Sequence, residues 1–195
     1  MKTISNTLQE GGDCPEEFRQ SVDFELNDPQ GRKAEVSVRM IGGTSGAASM
    51  FGYYCYKIGA SQEEIAQAPK CIVFPNTLMS NYNGKKASGL KSGESVKLHY
   101  INDKGEDEGT AFPNGIKIGW FLLNDKFYSG NGEAFYSTTA LNSDLRTHTA
   151  AFRIDDFIVL SFEDWTDQDY NDIQFNVWSN PIEAIISPEI PDINP

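Results

Sequence analysis

Hydrophobic and polar residues alternate along several short segments of the chain. In ESVKLHYI the apolar residues Val96, Leu98 and Tyr100 occupy every second position, and EVSVRM at residues 35–40 shows the same alternation. A period of two places the apolar side chains on one face of a β-strand. IKIGWFLLN, residues 116–124, is the most apolar of these segments, so we predict a central strand there.

Two further strands are predicted towards the C-terminus, FIVLSF at residues 157–162 and IQFNV at residues 173–177. In the second strand, Ile173, Phe175 and Val177 are expected to face one side of the sheet. The two strands are joined by a short acidic connection, which predicts an antiparallel hairpin.

One segment carries a helix signal, SQEEIAQAP at residues 61–69. Ser61 and Glu64 have the spacing of a capping box, and Pro69 ends the helix. Clusters of Gly, Asn, Asp and Ser separate the other segments, which predicts turns between about eight to ten short strands. We therefore predict an all-β fold, an antiparallel β-sandwich that is jelly-roll-like, with one short connecting helix.

We predict three parts in the chain. Residues 1–19 form an N-terminal segment that could be disordered, residues 20–181 form the β-sandwich, and residues 182–195 form a proline-rich linker or tail. The N-terminus lacks the apolar stretch of a signal peptide. Two alternatives remain, an intracellular protein or a mature fragment of a longer one, and the proline-rich end favours the fragment.

The balance of charge narrows the choice of partners. The 195 residues contain 28 acidic and 16 basic residues, which gives a formal net charge of −12. Nucleic acid is not an expected partner, because phosphate binding needs clustered lysines and arginines. A strongly acidic protein suits cation binding instead. The chain has no long apolar run, so we expect no membrane insertion.

The chain has three cysteines, Cys14, Cys55 and Cys71, and an odd number cannot all pair in disulfides within one chain. Cys55 and Cys71 lie on two strand-like segments with a short connection between them, so a disulfide in an oxidising compartment and two buried free thiols are both open. None of the cysteines belongs to a C-x-x-C motif, and a zinc site is not predicted.

The acidic connection FEDWTDQDYND, residues 162–172, is the strongest candidate for a functional site. It contains five carboxylates and no Lys or Arg. These carboxylates and the neighbouring asparagine are the candidate metal ligands, and they are Glu163, Asp164, Asp167, Asp169, Asn171 and Asp172. Oxygen ligands at alternate positions of a turn can converge on one cation, and Ca²⁺ takes six to eight of them. The alternative is a solvated acidic turn, since Asp and Asn are common in turns.

The spacing differs from that of an EF-hand. D-x-D-x-N at residues 167–171 matches the start of an EF-hand loop, but Asp172 stands where that loop needs glycine and Trp178 where it needs glutamate. We therefore predict a calcium loop of another kind, built on a β-hairpin. Magnesium fits less well, because it usually keeps several waters.

Several segments together resemble a known family. GLKSGESVKLHY, FPNGIKIGWFLL, YSTTALN, FEDWTDQDYNDIQFNV and SNP follow one another in this order. They resemble the LruC-like domains of bacterial surface and secreted proteins, the domain of unknown function 4114 family. The resemblance implies an extracellular or cell-surface β-sandwich with a calcium-binding character and no known reaction. The family's acidic signature falls on Glu163, Asp164, Asp167, Asp169, Asn171 and Asp172, and Ser161 replaces the glycine that usually precedes it.

Three functions remain open. The first is a non-catalytic calcium-binding module for adhesion or for binding a glycan or a surface protein, with Trp165, Tyr53 and Tyr82 as candidate ligand-binding aromatics. The second is a glycan-active hydrolase, in which Glu163 and Asp169 would be the paired carboxylates. The third is a structural spacer stiffened by calcium. We expect the first, because so many adjacent acids suit a metal better than an acid/base pair, and we expect no enzyme activity.

Overall fold

The computed structural model describes residues 7–8, 12–88, 94–164 and 168–194, and their regular secondary structure is mostly β-strand. The strands are β1 (Phe24–Leu26), β2 (Glu35–Gly42), β3 (Met50–Lys57), β4 (Lys70–Phe74), β5 (Ser95–Lys97), β6 (Ile116–Leu123), β7 (Ala134–Tyr136), β8 (Thr149–Ile154), β9 (Phe157–Phe162), β10 (Ile173–Asn180) and β11 (Ile185–Ile186). The helices are α1 (Gln62–Gln67) and α2 (Lys126–Ser129).

The strands form two antiparallel sheets. One sheet has the order β11-β1-β6-β3-β4, with β7 also paired to β6, and the other has the order β5-β2-β10-β9-β8. The predicted all-β antiparallel sandwich is confirmed. The central strand predicted at residues 116–124 is β6, which pairs with β3 along one edge and with β1 and β7 along the other.

Aromatic rings fill the space between the two sheets. Phe51 of β3 and Phe175 of β10 come from opposite sheets, and their ring centroids lie 3.7 Å apart. Trp120 of β6 lies 5.7 Å from Phe51 and is fully buried. The alternation predicted for β10 is correct, because Ile173, Phe175 and Val177 all belong to this core. The site at the end of β9 and β10 is thus attached directly to the main hydrophobic core.

Helix α1 begins as the sequence predicts. The Ser61 N–H donates to Glu64 Oε2 at 2.7 Å, and the Glu64 N–H donates to Ser61 Oγ at 3.3 Å, which completes the capping box. Helix α2, of four residues, was not predicted. Neither helix, nor any other among the described residues, has the length and apolar character that a membrane span requires.

The N-terminal residues that the structure describes pack against the outer face of the five-stranded sheet. Leu8, Cys14 and Phe18 are buried in a second, smaller cluster with Phe152 and Val159 of that sheet. Residues 12–19 are therefore part of the fold and not a disordered segment. The reason is that β8 and β9 carry apolar residues on both faces, so their outer face needs a cover.

The C-terminal segment also belongs to the domain. It was predicted as a linker from residue 182 onwards, but β11 pairs with β1, and Ile185 and Ile190 are buried in the main core. Farther along, the Arg153 N–H donates to the Pro191 carbonyl oxygen at 2.7 Å. The prediction relied on proline content alone, and Pro188 lies between Ile185 and Ile190, which the core buries.

The cysteines are free thiols in this structure. Strands β3 and β4 pair as expected, but Tyr53 is the residue opposite Cys71, and Cys55 lies two positions farther along β3. Of the two alternatives for Cys55 and Cys71, the structure has the free thiols. Burial raises the pKa of Cys55 to about 12 and that of Cys14 to about 11, so both thiols stay protonated at neutral pH.

Candidate functional site

Most of the described acidic and amide side chains between β9 and β10 are buried. Phe162 and Ile173 pair across the base of the hairpin, and Glu163, Asp169 and Asn171 above them are only 2%, 1% and 4% exposed. Asp164 is also buried, and Asp172 is partly buried. Asp167 and Trp165 lie outside the described residues. These buried side chains are not those of a solvated turn.

Two carboxylates of the hairpin lie next to each other. The Asp164 N–H donates to Asp172 Oδ2 at 2.8 Å. Burial, and secondly the charge of Asp164, raise the pKa of Asp172 to about 7. The carboxylates of Asp164 and Asp172 therefore repel each other where little water screens their charges. A proton or another cation on Asp172 would reduce this repulsion.

Local hydrogen bonds hold the connection in a tight loop. Gln168 and Tyr170 have left-handed backbone with φ of 62° and 57°. The Tyr170 N–H donates to Glu163 Oε2 at 3.2 Å, and the Asn171 N–H donates to Asp169 Oδ1 at 3.2 Å. The carboxylates thus direct oxygen atoms inwards, towards the backbone of their own loop.

The glycine-rich loop at residues 43–49, between β2 and β3, packs directly on the hairpin. Thr44 Oγ1 donates to Asn171 Oδ1 at 2.7 Å, and Ser45 Oγ donates to Asp164 Oδ2 at 2.5 Å. Gly43 permits this approach, because a Cβ there would lie 2.2 Å from the Asp172 carbonyl oxygen. This loop was not among the candidate site residues predicted from the sequence. Its glycines were the available signal, since glycine allows close backbone approach.

The side-chain amide nitrogen of Asn171, Nδ2, is buried without a hydrogen-bond partner in the described part of the chain. Oxygen and nitrogen of an amide exchange places by a half-turn of the side chain. In the turned orientation Nδ2 would donate to Thr44 Oγ1, and Oδ1 would become the atom without a partner. A cation would supply that partner.

The DUF4114 family, a domain of unknown function, matches residues 112–180. This match confirms the resemblance for the segments from FPNGIKIGWFLL to FEDWTDQDYNDIQFNV, whereas GLKSGESVKLHY lies outside the matched residues. The DUF4114 region starts at Phe112, before β6, and ends with β10, so it contains the whole acidic hairpin. It does not include the glycine-rich loop at residues 43–49. No curated protein and no solved structure matches the chain.

The candidate aromatics lie in different environments. Tyr53 is 4% exposed, and its hydroxyl donates to the His99 carbonyl oxygen at 2.6 Å, so it belongs to the core and has no surface for a ligand. Tyr82 is 51% exposed. A Cβ at Gly46 would lie 2.7 Å from its ring, so Tyr82 covers the glycine-rich loop that contacts the acidic hairpin.

A cleft of about 950 Å³ opens beside the hairpin. Its walls combine the N-terminal residues with three parts of the DUF4114 region. The lining residues are Glu16, Arg19, Asn124, Glu133, Phe135, Asp144, Arg146, Thr147, His148, Glu163, Asp164, Gln168 and Tyr170. The sequence did not predict this cleft, because its lining comes from segments that are far apart along the chain.

The predicted ligand set is only partly assembled in the described residues. In residues 12–88, 94–164 and 168–194, no three His, Cys, Asp or Glu side chains are arranged as a metal-binding group. Asp167, the first residue of the D-x-D-x-N pattern, lies outside these ranges. The described side chains offer carboxylate and amide oxygens, which are the donors that calcium prefers.

Replacing Gly43 with alanine is expected to displace the hairpin. The added Cβ meets a backbone oxygen that cannot rotate away, so we expect a loss of about 1–3 kcal/mol of unfolding free energy. Urea denaturation measures the loss. Gly42→Ala is the matched control, because its nearest contact would be Gln174 Oε1 at 3.9 Å. Equal stability of the two variants would contradict the close approach.

The raised pKa of Asp172 predicts how the stability of the metal-free protein depends on pH. Its folded pKa is about 7 and its ordinary value 3.8, so between these values the folded state binds more protons than the unfolded state. Stability then falls as pH rises through this window. We expect a lower unfolding free energy at about pH 7.5 than at about pH 5.5, with a smaller difference in Asp172→Asn. The same slope in both proteins would contradict this assignment.

Proposed function

We propose that this chain is a non-catalytic calcium-binding β-sandwich module of a bacterial surface or secreted protein, used in adhesion or surface-ligand binding. The observation that carries the proposal is the burial of the described hairpin carboxylates, among which the charge of Asp164 acts on Asp172 and the Asp164 N–H donates to the Asp172 carboxylate. The extracellular location comes from the family resemblance.

The electrostatics of the hairpin favour a bound cation. Buried carboxylates that lie together repel each other more strongly than exposed ones, because less water screens them. The described residues supply five side chains with oxygen donors, and these are Glu163, Asp164, Asp169, Asn171 and Asp172. Asp167 is proposed as a sixth. This number and type of ligand suit Ca²⁺ better than Mg²⁺, which retains more of its waters.

The contacts around the hairpin support a stabilising role for the ion. The glycine-rich loop crosses from one sheet to the other, and it binds the hairpin through Thr44 and Ser45. On the other side, Asn124 Nδ2, at the end of β6, donates to the Asp164 carbonyl oxygen at 2.9 Å. A cation held by Asp164 and Asn171 would therefore fasten both sheets together at this end of the sandwich.

Calorimetric titration of the metal-stripped protein tests the proposal. We expect saturable calcium binding that weakens about tenfold or more in Asp164→Asn, Asp172→Asn, because two charged ligands are lost. The matched control is Asp155→Asn, Asp156→Asn, which removes the same charge from an exposed turn between β8 and β9. No calcium binding by the unaltered protein, or equal weakening by both variants, would refute the proposed site.

A further inference from the structure

Left-handed backbone at residues other than glycine is concentrated around the cleft. Six such residues occur among the described parts of the chain, and they are Asn83, Asp125, Leu145, Asp155, Gln168 and Tyr170. Gln168 and Tyr170 line the cleft, Leu145 lies between two lining residues, and Asp125 follows Asn124. Such strain persists only where the surrounding structure enforces it, and it is typical of ligand-binding sites.

Leu145 is the most unusual of these residues. It has a φ of 57°, which is unfavourable for a bulky side chain, and it is 70% exposed. Its neighbours Asp144 and Arg146 both line the cleft. The fold thus places a strained apolar residue at the rim of a polar cleft, where its exposed side chain buries little surface.

The loop that carries Leu145 is rigidly supported. Asn142 is buried, and its Nδ2 donates to the carbonyl oxygens of Tyr136 at 3.0 Å and Arg146 at 2.8 Å. Farther along the loop, the Tyr170 hydroxyl donates to the Thr147 carbonyl oxygen at 2.9 Å. This wall of the cleft is preformed, which lowers the entropic cost of binding a ligand.

The lining offers hydrogen-bond donors and acceptors side by side. Arg19 and Arg146 donate, Glu133 and Asp144 accept, and amides such as Gln168 do both. A hydroxyl group also donates and accepts, so a polyhydroxylated ligand matches this mixture. An anionic ligand would face five carboxylates against two guanidinium groups, and a calcium ion held by Glu163 and Asp164 would offset the excess negative charge that favours a cationic ligand.

We propose that this cleft binds a neutral oligosaccharide, with Arg146 and Asp144 bonding sugar hydroxyls and Leu145 contacting the sugar ring at the rim. The volume of about 950 Å³ lies within the range of small-ligand sites. The inference rests on the proposed function in one respect, since Glu163 and Asp164 belong both to the cleft wall and to the calcium-binding hairpin. Calcium binding is therefore expected to strengthen sugar binding.

The test measures binding of a panel of neutral gluco-, galacto-, manno- and xylo-oligosaccharides to the whole chain by calorimetry, with calcium and with a chelator. We expect at least one of them to bind, and its affinity to fall about tenfold or more in Arg146→Ala. Lys33→Ala is the control, because it removes an exposed positive charge that is not part of the cleft lining. The Leu145→Asn variant should also bind the sugar more weakly. Its melting temperature should equal that of the unaltered protein, because asparagine tolerates the left-handed conformation.

The outcomes separate the two proposals. Sugar binding that is lost in Arg146→Ala supports the cleft whether or not calcium binds, whereas calcium binding without sugar binding overturns the cleft and leaves the hairpin intact. Binding of a lysine-rich peptide but of no sugar would also overturn the inference. So would unchanged sugar affinity in both Arg146→Ala and Leu145→Asn. Hydrolysis of a bound sugar would refute the non-catalytic function.

Discussion

Calcium is expected to raise the melting temperature of the metal-stripped protein by about 5–10 °C. A ligand at about one hundred times its dissociation constant stabilises the folded state by about 2.7 kcal/mol. For a domain of this size each kcal/mol shifts the melting temperature by about 2–4 °C. Differential scanning calorimetry, with and without calcium, measures the shift.

Removing two charges from the hairpin is expected to abolish this shift. In Asp167→Asn, Asp169→Asn the asparagines keep side-chain oxygen acceptors, such as the one that receives the Asn171 N–H. Because repulsion inside the hairpin is reduced, the metal-free variant should melt at or above the temperature of the metal-free parent protein. A purely structural role for Asp169 predicts the opposite, a lower melting temperature and an unchanged calcium shift.

The control for this experiment is Asp155→Asn, Asp156→Asn, which changes the net charge equally at an exposed turn. It should keep the full calcium shift. A loss of the shift in the control as well would mean that calcium acts through the overall charge of −12 and not through the hairpin.

Phe175→Ala is expected to cost about 3–5 kcal/mol of unfolding free energy. Phe175 is fully buried, and its ring stacks on that of Phe51 at 3.7 Å and lies 5.9 Å from that of Phe74. Its loss leaves a cavity where the two sheets meet. Urea denaturation measures the loss, and a parallel thermal melt should show a decrease of about 6–20 °C.

Trp178→Ala is the matched control for this core variant. Trp178 lies on the same strand, but it faces the other side of the sheet, where it is only partly buried against Phe157. We expect it to cost less than half as much free energy as Phe175→Ala. Equal costs would mean that the space between the sheets is not the main source of stability.

The strands near the site could be predicted well from the sequence. The apolar segment FIVLSF identified β9 with the observed bounds, and the period of two identified β10 from its first residue, although β10 continues to Asn180. Alternation is a local property that each strand displays by itself. The acidic side chains of the hairpin were identified for a similar reason, because they are adjacent along the chain.

The terminal segments could not be predicted in this way. Residues 12–19 cover an outer sheet face, and Ile185 and Ile190 enter the core from a proline-rich segment. Their stabilisation comes from contacts with strands that are distant in sequence. Composition describes the segment alone and carries no information about such contacts.

The sequence by itself determined the class of the fold, the alternation of its strands and the acidic character of the connection at residues 163–172. Only the tertiary structure decided that Glu163, Asp164, Asp169 and Asn171 of this connection are buried, that the loop at residues 43–49 binds two of them, and that a cleft opens beside them. The physical reason is the range of the interactions. Periodicity and charge are properties of neighbouring residues, whereas burial and the raised pKa of Asp172 depend on which distant segments exclude water.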